Sequence, residues 1–447
     1  MHYTFQMKII CFCFVIVSIL GAGLANGQNT HTSKKGTIEQ IIVEGNPVRY
    51  EYVLAAEDGN RYRISTSQPL TNYINRKVSL SGILAGNRLD VSGNIKVIEE
   101  ADAPLSPAST IGKRKVLVVL FNFTNSQVQP VSVEQARERV FTGATSANNY
   151  FKEASYHRYE LTGIQRPDGD VVGWLTIPYT NNYCNILYAG LWTQAADTMA
   201  RDNGYEPNDY NSVLYVFPSV CGNSAAARAE LGTIGDNTTI RRAWFFSQFR
   251  ENTIIHELGH NLGLNHANSL RCSGTGIPND CENVEYGDPF DMMGNQVLPI
   301  FFNNYFRLCL GWLTGRAQTV TVSGDYTLVA PSLPAKGNQV LRIPLKLANS
   351  EYSGFSYTLE FRRRYSYDNV YLSPLNNSVF EGVTIRYTKD NLTGYATSLI
   401  DTTPNTGSFL DAPLRVGNTF TDVQSGISIT TLSVNPIRGA RVRIQLN

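Results

Sequence analysis

The sequence predicts an α+β fold built in three parts, and three patterns carry that expectation. Residues 36–99 alternate apolar and polar side chains between turn residues. From residue 116 to about 313, continuous apolar runs alternate with stretches of helical spacing. From Thr319 onward, strand-like segments recur with turns between them. At roughly 150 residues per domain, 447 residues suit about three domains. A hydrophobic content of 42% can fill sizeable cores, and the 17% charged content lies below the ~25% of ordinary soluble domains. With 38 Lys and Arg against 37 Asp and Glu, bulk charge is not what would hold this chain to nucleic acid or to an anionic membrane.

Lys8 precedes the apolar run Ile9 to Leu20, and small residues lead to Ala25-Asn26-Gly27. A positive start, a short apolar stretch and a small-x-small end mark residues 1–27 as a signal peptide, with the mature chain starting near Gln28. The run is shorter than the ~20 residues that span a bilayer, so an anchor is not expected. Residues 28–104 are expected to form an OB-like β-barrel, a candidate pro-domain. Its strands are runs such as Thr37 to Val43, Arg61 to Ile64, Lys77 to Gly82 and Arg88 to Val91, parted by Asp58-Gly59-Asn60 and Gly86-Asn87. Ala101 to Gly112 reads as a linker. Lys113-Arg114-Lys115 is either a processing site or, as preferred here, the charged flank of a strand.

Residues 105–318 form the central domain. Val116 to Phe121 is a continuous apolar run suited to a central strand, and Val213 to Phe217 is a second. Val133 to Phe141, Ser146 to Tyr159 and Cys184 to Arg201 have helical spacing, and Thr239 to Phe246 reads as an edge strand. Residues 319–447 suggest a β-sandwich without a convincing helix, from Val320 to Val322, Val340 to Ile343, Tyr357 to Phe361, Val383 to Tyr387, Ile427 to Ile429 and Val442 to Ile444. Past residue 27, five cysteines remain. Cys272 and Cys281 form a natural local disulfide, Cys184 and Cys221 the remaining plausible one, and Cys309 a buried thiol in an apolar stretch. Sequons stand at Asn122, Asn237, Asn376 and Asn391, each a modest expectation of surface glycosylation.

Only six histidines occur, and three of them fall between positions 256 and 266. The stretch reads Ile254-Ile255-His256-Glu257-Leu258-Gly259-His260-Asn261-Leu262-Gly263-Leu264-Asn265-His266. On an α-helix, His256 and His260 share one face one turn apart, as a common metal requires. Gly263 can adopt the left-handed conformation that ends the helix, and the chain can then bring in His266. Three neutral imidazoles suit one catalytic Zn2+ and leave a fourth position for water. Glu257 need not bind metal and is placed to take a proton from water on the metal, then deliver it to a leaving amine. A structural zinc site would close with four protein ligands and would not need Glu257. Downstream, Asp291-Met292-Met293-Gly294 supplies a methionine turn, with Met293 the preferred methionine and Met292 the alternative.

These residues resemble the metzincins, and most closely the gametolysin (autolysin) family of secreted metallopeptidases. The likeness rests on His256 to Ala267 and on Tyr286-Gly287-Asp288 running into the methionine turn. It extends through Phe302-Asn303, Leu310-Gly311-Trp312-Leu313, Leu399 to Pro404 and Val416 to Phe420. It implies a metzincin-like catalytic domain with a twisted mixed sheet and an active-site helix. It also implies endopeptidase action on extracellular-matrix or cell-wall proteins, with His256, His260 and His266 as ligands, Glu257 as base and Met293 at the turn. Asn295 stands where some metzincins place a tyrosine ligand. No Cys occurs between Gln28 and Tyr183, so an N-terminal cysteine switch is not available, and inhibition by residues 28–112 would need occlusion or another ligand.

The expectation is therefore a secreted, zinc-dependent endopeptidase with a protein or glycoprotein substrate, acting as a monomer without nucleic acid or membrane. An extended substrate would pair with an edge strand such as Thr239 to Phe246. The alternative is a catalytically silent secreted binding or adhesion protein on the same scaffold, which would have no use for an intact Glu257.

Overall fold

The computed structural model describes residues 30–447 apart from 46, 99–109, 183–186, 220–226, 273–280, 295–296, 332–335, 346–353, 372–376 and 390–395. The expected signal peptide, Cys184, Cys221, Asn376 and Asn391 lie outside the described residues.

The N-terminal region is the small barrel that alternation predicted. Strands β1 (Thr30–Val43), β2 (Arg49–Ala56), β3 (Arg61–Ser65), β4 (Lys77–Ala85) and β5 (Arg88–Val91) pair in the order β1-β2-β3-β5-β4 and close through β4 with β1. Closure is possible because β1 is 14 residues long. Its first half pairs with β4 (Thr30↔Leu84) and its second with β2 (Val43↔Arg49). Alternate residues point inward, as the pleat dictates, so Ile38, Leu54, Ile64, Val78, Leu80 and Leu89 form the barrel core. A short strand β6 (Lys96–Val97) adds to β4.

The central region carries a mixed sheet of β7 (Gly112–Phe123), β8 (Tyr159–Thr162), β9 (Asp170–Ile177), β10 (Ser212–Phe217), β11 (Ala227–Glu230) and β12 (Arg241–Phe246). β7 lies between β10 and β8, and β9 pairs with a further stretch of β7. β7 explains its own continuous apolar run. Val116, Val118 and Leu120 enter one core, while Leu117, Val119, Phe121 and Phe123 enter the core on the opposite face. Helices α1 (Val133–Arg137) and α2 (Ala147–Ala154) cover the first face, and α3 (Leu187–Asp202) the second through Trp192, Ala196 and Ala200. α2 stops five residues short of the expected Tyr159 because Tyr156 and His157 take positive φ values, which a helix cannot accommodate. Lys113-Arg114-Lys115 lies within β7. Arg114 is buried, donating to Ser212 Oγ and the Asn211 carbonyl, so the run stands inside the strand rather than ahead of it.

The expected edge strand Thr239 to Phe246 is corrected. β12 is internal, parallel to β10 on one side and antiparallel to β11 on the other. Its run of buried residues from Ala243 to Phe246 is that of an inner strand, which alternation alone does not distinguish from an edge. The outer strand is β11, and β1 of the barrel pairs with it, so barrel and central sheet form one 12-stranded sheet.

After helix α4 (Glu251–Asn261), strands β13 (Ala267–Cys272) and β14 (Cys281–Val284) and helix α5 (Asn304–Cys309) lead into the C-terminal strands. These are β15 (Ala317–Thr319), β16 (Gly324–Leu328), β17 (Val340–Pro344), β18 (Phe355–Glu360), β19 (Gly382–Lys389), β20 (Thr397–Ile400), β21 (Leu414–Arg415), β22 (Thr419–Asp422), β23 (Ile427–Asn435) and β24 (Gly439–Leu446). An eight-stranded sheet runs β14-β13-β20-β19-β18-β17-β15 with β21 on β19, and a four-stranded sheet runs β16-β24-β23-β22. Both contribute to one apolar cluster, with Leu341, Leu359 and Ile385 from the larger and Ile429, Val442 and Ile444 from the smaller. Because β13 pairs in parallel with β20, the larger sheet runs across the expected boundary at 318/319. Two short helices, α6 (Ser366–Tyr371) and α7 (Ser378–Glu381), interrupt this region, against the expectation of none. Each is too short for a 3.6-residue period to show in the sequence.

Candidate metal centre

α4 is a wholly interior helix from Ile254 to Asn261. Ile254, Ile255 and Leu258 join the core under the central sheet. Glu251 in its first turn complements the helix dipole. Asn261 fixes its C-terminal end. The side-chain amide donates to the Glu230 and Arg242 carbonyls, and its oxygen accepts from Ser212 Oγ, so one residue ties the helix to β10, β11 and β12. Gly263 then takes φ +96°, as expected, and a Cβ there would stand 2.8 Å from Ile234 N. The turn carries the chain back so that His266 faces the helix, with ring centroids 4.9 Å from His260 and 5.5 Å from His256.

The three rings are held so that each presents Nε2 to a common centre. His256 Nδ1 donates to the Met292 carbonyl at 3.0 Å, and His260 Nδ1 to the Leu264 carbonyl at 2.7 Å. Carbonyls only accept, so Nδ1 carries the proton and Nε2 offers a lone pair in both. His266 Nδ1 bonds Glu285 Oε1 at 2.6 Å, the carboxylate–histidine pairing that orients metal ligands. All three histidines are buried.

A fourth residue, missed from sequence, enters this centre. Glu44, just beyond β1, places Oε1 3.4 Å from His256 Nε2, 3.1 Å from His260 Nε2 and 3.2 Å from His266 Nε2. The His256 and His260 Nε2 atoms are 3.1 Å apart. A tetrahedral zinc with ligands near 2.0–2.1 Å has edges of roughly 3.3 Å, so these four edges suit one such ion. All four ligand atoms lie within 4.8 Å of one another. Burial alone would raise the Glu44 carboxyl, but the His256, His266 and His260 rings gathered around it hold it well below the usual range. Burial lowers His260 to about 4. For His266, burial is outweighed by Glu44 and Glu285, which bring it to about 9. Tyr286 donates its hydroxyl to the other Glu44 oxygen, and its ring lies 4.1 Å from that of His266.

Glu257 lies beside this cluster, fully buried, and neither of its carboxylate oxygens has a hydrogen-bond partner among the described residues. Burial, reinforced by the charge of Glu44, holds its carboxyl well above the ordinary range. A carboxyl buried without a partner is costly and calls for a ligand or water beside it.

Met292 and Met293 are both buried beneath the centre. Met292 supplies the carbonyl to His256, and Met293 packs against α4 at Gly259. The turn is clamped by two buried acids. Asp288 accepts from Phe290 N and from Arg386, and Asp291 accepts from Met293 N and Asn303 N. Arg386 also meets Glu360, which meets Arg362, so a buried ion-pair network from β18 and β19 reaches the turn.

The remaining candidates divide. Cys272 and Cys281 form the expected disulfide, across β13 and β14, and Cys309 remains a buried thiol. Asn237 is exposed, as its sequon requires. Asn122 is corrected: it is buried in β7 and accepts from the Thr176 hydroxyl, which leaves no room for a glycan in the folded protein.

A family model of the gametolysin peptidase M11 type matches residues 115–379. No curated protein matches the chain.

Proposed function

Because the chain belongs to the gametolysin peptidase M11 family, we propose that it is a secreted, zinc-dependent endopeptidase hydrolysing peptide bonds of extracellular-matrix or cell-wall proteins. One observation carries the reading: Glu257, buried and without a hydrogen-bond partner for either oxygen among the described residues, stands next to His256 in a cluster of three histidines. A merely structural helix would gain by an apolar residue there.

His256, His260 and His266 would hold the ion, and their Nδ1 partners already fix the required tautomers. Zinc bound there would act as a Lewis acid on the scissile carbonyl and make water a nucleophile near neutral pH. Glu257 takes the proton of the attacking water and returns it to the leaving amine. Burial suits it to both tasks, because the proton is held firmly enough to be carried and the site is shielded from bulk water. Met293 and the buried acids at 288 and 291 keep the floor of the site rigid. In this reading the central region is metzincin-like and the C-terminal sheets are a β-sandwich.

The test is Glu257→Gln in a background where Glu44, which stands at the fourth vertex of the centre, is changed to Gln. The double variant retains one metal equivalent and loses cleavage of casein or gelatin, while the single variant cleaves and is silenced by a chelator. Equal cleavage by both would overturn the assignment. One metal equivalent with no turnover in either would favour the silent binding protein.

A further inference from the structure

We propose that the N-terminal barrel is a latency device: Glu44 closes the metal centre as a fourth protein ligand, and β1 fills the strand position that an extended substrate would take. The inference rests on the zinc site assigned above and concerns its regulation.

Catalytic zinc sites keep one position open, whereas sites closed by four protein ligands are structural. This chain combines features of both. Glu257 is the base of an open site, yet Glu44 Oε1 stands at 3.1–3.4 Å from all three histidine nitrogens, where the fourth ligand belongs. The two are reconciled if Glu44 is a removable ligand. No thiol is present between Gln28 and Tyr183 to do this, and a carboxylate oxygen is also a zinc ligand.

The backbone makes the second half of the case. β11 is the outer strand of the central sheet, and its outer side is taken by β1 in antiparallel register, Ile41↔Glu230, Ile42↔Ala229 and Val43↔Arg228. The ladder continues on both sides, with Leu231 N donating to the Gln40 carbonyl and Glu44 N to the Ala227 carbonyl. Addition of a strand to an exposed edge is the general way a sheet binds an extended peptide. β1 is therefore bound as a substrate would be, and it delivers Glu44 to the metal from the end of that strand.

Contacts beyond the strand are those of a docked domain. Arg61 of the barrel bridges Glu230 at 2.7 Å, Asn75 Nδ2 donates to the Gly232 carbonyl, and Tyr50 donates to Glu285, the partner of His266. Ile41 and Val43 enter the core on the α3 side of the central sheet. The barrel has an apolar core of its own, so its departure need not unravel it.

The experiment uses the full chain loaded with cobalt and titrated with acetohydroxamate, followed by the visible spectrum. Glu44→Gln keeps the size of the side chain and the hydrogen-bond acceptor for Tyr286 but removes the charged ligand, and Glu44→Ala removes the ligand altogether. Both variants should bind hydroxamate at least tenfold more tightly than the parent. Both should also give up zinc to a competing chelator at least tenfold more readily, as loss of a ligand requires. Equal hydroxamate affinity in parent and folded variants, each holding one metal equivalent, would overturn the latency proposal and leave the peptidase reading standing. A parent chain that binds no metal would overturn both. If Glu44→Ala fails to fold, Glu44→Gln decides alone.

Discussion

Met293 lies directly beneath Gly259, so close that a Cβ at position 259 would stand 2.5 Å from Met293 Sδ and 3.2 Å from its Cε. Glycine at the middle of the motif is thus a packing requirement, because only a bare Cα lets the methionine turn approach the helix between its two ligands. Gly259→Ala gains roughly 1 kcal/mol of helix propensity. It should lose about 1–3 kcal/mol through overpacking against Met293 and Phe302. The melting temperature should fall by a few degrees with reduced metal affinity, while Met293→Leu, nearly equal in volume, should cost less than about 1.5 kcal/mol. A Gly259→Ala protein that melts higher than the parent would show that Met293 yields.

Tyr286 holds its hydroxyl on Glu44, at the fourth vertex of the centre, with its ring over His266. With Glu44 removed, that hydroxyl would be left at the fourth vertex, where the proposed hydrolysis would develop the negative charge of the scissile carbonyl. A donor so placed is stronger in the transition state than in the ground state. In the Glu44→Ala background, Tyr286→Phe should lower kcat by roughly 10²-fold with KM little changed. Unchanged kcat would confine Tyr286 to holding Glu44 in place.

Glu285 fixes His266 through Nδ1 at 2.6 Å and also accepts from Tyr50 of the barrel. Loss of such a supporting carboxylate typically costs 10–100-fold in metal affinity. Glu285→Gln should therefore weaken zinc by about that factor in a chelator competition, in both the full chain and the Glu44→Gln protein. Equal affinity to the parent would mean that His266 is oriented by ring packing on Tyr286 instead.

The sequence revealed the parts of this centre that lie within one stretch of chain. His256, Glu257 and His260 follow from helical spacing, Gly263 from the need for a left-handed residue, and Met293 from its glycine-flanked turn. Glu44 was not legible, since it stands more than two hundred residues away and its neighbours Val43 and Gly45 give it no motif. Glu285 and Tyr286 lay beside recognised residues but carried no spacing signal. β12 was misplaced as an edge because a strand's neighbours are a tertiary property. β7 was placed well because burial on both faces writes a continuous apolar run. The barrel was legible as a barrel, but its use of β1 to extend another sheet was not, because the same alternation serves either pairing.

The methionine turn is anchored through Asp288 to Arg386 and on to Glu360 and Arg362, all buried, and this gives the protein a defined acid limb. Burial alone would raise Glu360, but Arg386, Arg362 and the Asn304 backbone N–H bring its carboxyl down to about 2, against an ordinary value of 4.5. A depressed folded-state value means stability that is complete above about 4.5 and lost as pH falls through about 2, worth on the order of 3 kcal/mol. Asp291 acts in the opposite sense. Burial and the neighbouring Asp288 raise it to about 7, so its contribution is complete below its ordinary 3.8 and is lost as pH rises through about 7. Glu360→Gln separates the two. It leaves Arg362 and Arg386 short of a buried counter-charge and should cost about 3–5 kcal/mol at pH 6. The gap from the parent should close as pH falls from about 4.5 towards 2, because the unfolded parent protonates Glu360 near 4.5 while the folded one does so only near 2. Denaturant unfolding of both proteins across that interval measures the gap, and a gap that stays constant with pH would show that Glu360 is not the group that titrates.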